Sequence, residues 1–274
     1  MKRNRRPSLF IKRNSSFSYG INCFYPNLYQ AAHTTIRCLV DMQDFLLHDG
    51  LFDAVLFDLD NTLVDFISAK KKACASVIEE LGCGDPDELF SYFLRKRYGF
   101  EDYGNIFDYL SDIGIRGSAT YLESCTLYEN EKLFNIHPYK GIEEMLSGLR
   151  SKGMRLGVVT DADSDHAEKR LKKADLFQYF DIVMTPDISG SRKPDPDSFL
   201  MALDSIRADP VHTIHVGDSI RRDIEPANRL GICTIHAAYG DWHPEEMMGS
   251  PVRTLRVERS EDLLRLMLGN CTDL

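Results

Sequence analysis

Apolar and polar positions follow two different rhythms along this chain. Residues 52–64 read Phe-Asp-Ala-Val-Leu-Phe-Asp-Leu-Asp-Asn-Thr-Leu-Val, an apolar run that ends in two carboxylates and predicts a strand. From residue 66 the spacing becomes helical. Ala73, Val77 and Leu81 share a face up to a stop at Gly82, and Asp85-Pro86 opens a second helix through Leu89, Phe90 and Phe93. Ile106, Phe107, Tyr109 and Leu110 predict a third helix, and residues 118–133 a fourth. No strand pattern occurs between 65 and 150. Alternation then resumes, with strands expected at 155–160, 180–184, 213–216, 232–236 and 254–257. Helices are expected between and after them at 164–174, 195–207, 221–230 and 260–268.

Strands alternating with helices imply a parallel sheet with right-handed crossovers and helices on both faces. The fold class is therefore α/β, a Rossmann-like core interrupted after its first strand by an all-helical insertion. The expected boundaries are 51–64 and 143–274 for the core and 65–142 for the insertion. Residues 1–50 form a basic extension, expected to be poorly ordered, with helical spacing at 31–49.

Charge sharpens that division. Residues 1–40 hold Lys2, Arg3, Arg5, Arg6, Lys12, Arg13 and Arg37 and no acid, so the net charge of −9 leaves the rest strongly acidic. An acidic body argues against nucleic acid as a substrate. The basic head also suits an organellar transit segment or a nucleic-acid arm. No apolar run approaches the ~18–20 residues needed to cross a bilayer, so no membrane partner is expected. The cysteines are seven in number, scattered, and form no C-x-x-C pair. Reduced thiols in a cytoplasmic protein, without a zinc site, are expected. Nothing in the residues speaks to oligomeric state.

The chemistry lies just past the strand ends. Asp58 and Asp60 are two apart, so as the first strand ends both can lean toward one small volume. Acids held that close repel, and imply a bound cation, a shared proton, or both. The second core strand runs into Thr160-Asp161, the segment after the third supplies Arg192-Lys193-Pro194, and the fourth ends Gly217-Asp218-Ser219 with Asp223 beyond. In an open α/β sheet these segments converge on one crevice. Acids, a hydroxyl and a lysine together suit a phosphate held against Mg²⁺.

In order and spacing this set resembles the haloacid dehalogenase-like hydrolase superfamily. Its motifs are matched by Asp58-Leu59-Asp60-Asn61-Thr62, Thr160, Lys193, and Gly217-Asp218 with Asp223, and its cap by the helical insertion. The resemblance implies an aspartyl-phosphate mechanism, with Asp58 as nucleophile and Asp60 as general acid and base. Thr160, Asp161 and Lys193 would bind the phosphate. Mg²⁺ would be held by Asp58, the Asp60 backbone carbonyl, Asp218 and Asp223, the last through water or else orienting Lys193. The dehalogenases of the superfamily generally lack the second acid, so Asp60 favours phosphoryl chemistry. Val158-Val159-Thr160-Asp161 and Asn105-Ile106-Phe107-Asp108-Tyr109-Leu110 are similar to an archaeal subgroup of glyceraldehyde-3-phosphate phosphatase-like enzymes, although that subgroup often has His where this chain has Ile106.

The expected activity is a Mg²⁺-dependent phosphatase acting on a small phosphorylated metabolite, a sugar or triose phosphate. A phosphomutase or 5′-nucleotidase is the enzymatic alternative, and a non-catalytic binding protein the other. His137, His166, His212, His215 and His236 show no ligand spacing and are read as non-catalytic. Arg95, Lys96 and Arg97 are read as a solvated helix face, and the aromatics from Phe90 to Tyr103 as core of the insertion.

Overall fold

A computed structural model describes residues 51–242 and 254–269. The expectations for residues 1–50, including the helix at 31–49, fall outside them. The described residues form two compact units: those up to Leu63 together with Pro138 onward, and Val64–His137.

The first unit is built on a six-stranded sheet, ordered β3-β2-β1-β4-β5-β6. Its strands are β1 (Ala54–Phe57), β2 (Arg155–Val159), β3 (Ile182–Met184), β4 (Thr213–Gly217), β5 (Cys233–Ala237) and β6 (Leu255–Val257), and every pairing is parallel. The α/β expectation holds. β1 is the middle of the sheet, with Phe57 level with Val158 on one side and Val216 on the other. Strand order reverses at β1, which puts the switch-point crevice beside the residues that follow it. Ala54, Leu56, Val159, Met184 and Phe199 pack one face of the sheet, all fully buried. β1 is apolar on both sides, as expected of a strand covered on both faces, whereas β4 buries Thr213 and His215 on one side.

The unit's helices include α5 (Ile142–Ser151), α6 (Ser164–Lys173), α7 (Asp197–Ile206), α8 (Glu225–Arg229) and α9 (Ser260–Leu268), with a single helical turn at Pro186–Ser189. Helix α5 is not among the expected elements; it buries Ile142, Met145, Leu146 and Leu149 at helical spacing. The helix expected at 221–230 is instead two pieces, a wide π-type turn at Ile220–Ile224 and then α8. Pro226 cannot donate a helical hydrogen bond, which favours the break. The wide turn carries Asp223 into the crevice. Helix α7 starts two residues later than expected, because Pro196 precedes it and the Asp195 carboxylate takes the Asp197 amide at 3.0 Å.

The second unit contains the helices α1 (Phe66–Leu81), α2 (Pro86–Leu94), α3 (Gly104–Asp112) and α4 (Ser118–Phe134). Asp65 and Asp85 cap the first two by accepting from Ser68 and Glu88 amides at 3.0 and 2.8 Å, and Gly82 ends α1 in the left-handed region. Ala73, Val77, Leu89, Phe93, Ile106 and Tyr128 form its core, with Phe93 and Tyr128 stacked at 5.0 Å.

Polar residues inside this unit were not anticipated. Lys70 is fully buried, its ammonium 4.1 Å from the Phe93 ring centre and 3.8 Å from that of Phe100. Lys132 is buried too, paired with Glu101 at 3.0 Å and Glu129 at 2.8 Å. The Arg95–Arg97 stretch is exposed, as expected, but lies past the end of α2 and not on a helix face, and both arginines bind Asp108, at 3.1 and 2.8 Å. No described helix is long and apolar enough to cross a membrane.

Candidate active site

The crevice fills from the strand ends. β1 delivers Asp58, which is buried and whose amide donates to the Val216 carbonyl at 2.9 Å. The chain then turns tightly. Leu63 donates to the Leu59 carbonyl at 2.9 Å, and Asn61 takes φ 62°, a left-handed conformation that asparagine accepts more readily than most residues. Gly240 backs this turn so closely that an added Cβ would lie 1.6 Å from the Asn61 carbonyl oxygen, so only glycine fits there. The neighbouring Tyr239 hydroxyl donates to the Thr62 carbonyl at 2.8 Å, and burial pushes that phenol well above its usual pKa.

β2 delivers Thr160, buried, with its Oγ1 accepting from the Ala162 amide at 3.2 Å. Asp161 follows, and its Oδ1 accepts the backbone N–H of Lys193 at 2.9 Å. That bond ties the loop after β2 to the loop carrying the lysine. The Asp161 side chain is thus engaged by the Lys193 backbone.

Lys193 is the centre of the site. Its ammonium, with 2% of the side chain exposed, donates to Asp58 Oδ1 at 2.6 Å, Asp223 Oδ1 at 2.6 Å and the Val159 carbonyl at 3.1 Å. Three donors meet three acceptors, as a buried ammonium requires. Asp223 is fixed further by the Ser219 amide at 3.1 Å and by His215 Nε2 at 3.4 Å. His215, read as non-catalytic, therefore packs directly against a site carboxylate.

Carboxylate oxygens of Asp58, Asp218 and Asp223 lie within 4.8 Å of one another, all on buried residues. Burial raises the Asp58 pKa, with Lys193 opposing it. Asp218 stands well above the ordinary range, first through burial and then through the charges of Asp58 and Asp223. For Asp223 burial also pushes upward, but Lys193 and His215 hold it below the usual carboxylate value. Asp58 and Asp223 share one ammonium at equal distance, yet move in opposite directions. The second donor set at Asp223 accounts for the difference, while burial and the neighbouring acids disfavour negative charge on Asp58 and Asp218. Arg222, at the rim, offsets it only at 4.0 Å from Asp218 and 3.8 Å from Asp161.

These residues fit a small divalent cation. All three side chains offer hard oxygen donors, and Asp218 Oδ1 is buried with no hydrogen-bond partner. Asp60 is placed differently. Its carboxylate is partly exposed and pairs with the guanidinium of Arg170 on α6, so its expected contact with a metal remains the backbone carbonyl. Arg170 was missed in the sequence, although a signal existed: it lies three residues after Ala167 and one before Leu171, on the apolar face of α6.

A family model described as haloacid dehalogenase-like hydrolase matches residues 55–237. The chain belongs to that family. Its relatives include a glyceraldehyde 3-phosphate phosphatase from Pyrococcus abyssi, 27% identical over 79% of this chain and 94% of that protein. A phosphoglycolate phosphatase from Aquifex aeolicus is 29% identical over 78% of this chain and 95% of the relative. Among solved structures, the magnesium-bound HAD-hydrolase YfnB from Bacillus subtilis superposes with a TM-score of 0.61 at 19% identity, over 79% of this chain and 98% of its own. A HAD phosphatase from Thermococcus onnurineus gives 0.55 at 24% identity, over 80% and 98%. At such identities the structures speak to the fold alone. The expected enzyme class, a phosphoric monoester hydrolase of the haloacid dehalogenase-like superfamily, stands with these relatives.

Proposed function

We propose that the chain is a Mg²⁺-dependent phosphatase that hydrolyses a small phosphate monoester through a phosphoryl group carried on Asp58. The observation that carries this reading is the Lys193 ammonium, held between Asp58 and Asp223 beside Asp218 Oδ1, a buried oxygen that accepts no hydrogen bond. A carboxylate fixed by a buried cation, next to a pocket of surplus negative charge, suits a nucleophile for an anionic substrate only if further positive charge is supplied.

Asp58, Asp218 and Asp223, with the Asp60 backbone carbonyl, would hold the metal, which when bound supplies charge neutralisation for the phosphoryl oxygens. Lys193 anchors Asp58 Oδ1 and leaves the other oxygen for in-line attack on phosphorus. As the Asp58 O–P bond forms, the ester P–O bond breaks, and Asp60 gives its proton to the departing alkoxide. Water then attacks the same phosphorus, Asp60 takes a proton from it, and Asp58 is released. Lys193 and the Thr160–Asp161 loop steady the transferring oxygens, where fixed donors contribute most in the transition state.

Substrate choice is assigned to the helical unit. A sugar or triose phosphate is the proposed class, with glyceraldehyde 3-phosphate first. The Pyrococcus relative and the Val-Val-Thr-Asp segment support it, while the Aquifex relative keeps phosphoglycolate close behind. Phosphate release across triose and hexose phosphates, phosphoglycolate and 5′-nucleotides tests it. The expected result is a kcat/KM for a triose or sugar phosphate at least about tenfold above that for nucleotides, a difference of roughly 1.4 kcal/mol in transition-state binding. A preference for nucleotides contradicts the proposed class, and turnover that depends on an added sugar bisphosphate points to a mutase.

A further inference from the structure

Arg170 is among the largest fully buried side chains of the protein. It lies on the inner face of α6, at a position where the helical period calls for an apolar residue. Burying a guanidinium is costly unless an anion compensates it. The anion here is Asp60, whose Oδ2 accepts from Arg170 Nη1. The helix bearing Arg170 is itself pinned next to the Thr160–Asp161 loop. Asp163 caps it through the His166 amide at 3.0 Å, and Asp187 clasps Ser164 at its amide (3.0 Å) and hydroxyl (2.5 Å). A rigid helix anchored at the phosphate-binding loop thus reaches across to grip the proposed proton carrier.

Resting on the phosphatase reading above, we propose that Arg170 is a positioning residue for Asp60. By gripping Oδ2 it fixes the orientation in which the Asp60 carboxyl group meets the leaving oxygen. Because Arg170 is fully buried and acts through Asp60, its loss should lower kcat more than it raises KM. The loss should also depend on the leaving group. A dinitrophenolate departs with little help, whereas the alkoxide of a sugar or triose phosphate requires the proton that Asp60 supplies.

The experiment measures kcat and KM of wild type, Arg170→Met, Asp60→Asn and the double variant. The substrates are 2,4-dinitrophenyl phosphate and the best alkyl phosphate of the substrate panel. Arg170→Met should lower kcat/KM for the alkyl ester at least about tenfold more than for the aryl ester, part of the roughly 10²–10⁴ that general acid catalysis contributes. In the Asp60→Asn background the same change should cost less than about twofold, because coupled residues are not additive. Arg170→Lys, which keeps a cation without the planar fork, should restore part of the alkyl-ester rate and gives the same ratio if the Met variant does not fold. Equal losses on both esters, or an undiminished effect in the Asp60→Asn background, would show a packing role and overturn the inference. A wild type that releases phosphate from neither ester contradicts the phosphatase reading itself.

Discussion

Asp58→Asn is expected to lower phosphate release by on the order of 10⁴-fold or more, because it removes the carboxylate proposed to attack phosphorus. The substitution keeps the shape of the side chain and leaves Lys193 paired with Asp223. Burial and the neighbouring acids disfavour charge at this position, so removing that charge relieves repulsion from Asp218 and Asp223. In EDTA the apparent melting temperature should therefore equal or exceed that of wild type. Loss of activity together with loss of folding would instead make Asp58 a structural residue. Near-wild-type turnover would remove it from the mechanism.

Lys193→Met should damage both activity and stability. Without the ammonium, Asp58 and Asp223 remain buried beside Asp218 with no compensating charge at 2.6 Å. Removing one partner of a buried pair costs about 3–5 kcal/mol. In a chain of this size that lowers the apparent melting temperature by roughly 8–15 °C. The contribution of Asp223 to the pH dependence should change sign. In wild type Lys193 holds Asp223 below its ordinary value, so that pair contributes stability above the unfolded carboxylate pKa and loses it as pH falls through the folded one. In the variant, burial raises the folded pKa of the acids instead, so stability falls as pH rises through the raised values. Between pH 5 and pH 8 the variant should lose melting temperature where wild type, already above both pKa values of Asp223, loses none through that group. Turnover should fall by roughly 10²–10³ at every pH, the scale of losing one preorganised donor to the transition state. A variant as stable and as active as wild type would show that the ammonium compensates nothing.

The parts of this account that were legible in the sequence share one physical cause. Strand residues are read by an apolar run, and each run here stops at a polar residue whose place at the sheet edge is then determined. Asp58, Thr160 and Asp218 were found that way, and Lys193 through its place after the third strand. The register that brings Phe57 level with Val158 and Val216 turns those separate stops into one site. Arg170 escaped because its partner is 110 residues away, and no local pattern announces which acid will pay for a buried arginine. Lys70 and Lys132 escaped for a related reason. A lysine among Phe66, Phe93, Phe100 and Tyr128 looks like a surface residue until the helices are packed. The wide turn at Ile220–Ile224 was read as ordinary helix because its polar spacing is close to helical, and only the position of Asp223 shows the difference.

The most direct test of the central claim is phosphate release from p-nitrophenyl phosphate by the full chain, with Mg²⁺, then with excess EDTA, then with Mg²⁺ restored. Steady release that stops with the chelator and returns with the metal is the predicted result, since Asp58, Asp218 and Asp223 together carry more negative charge than Lys193 can offset. Release that continues unchanged in EDTA, or no release under any of the three conditions, would contradict it.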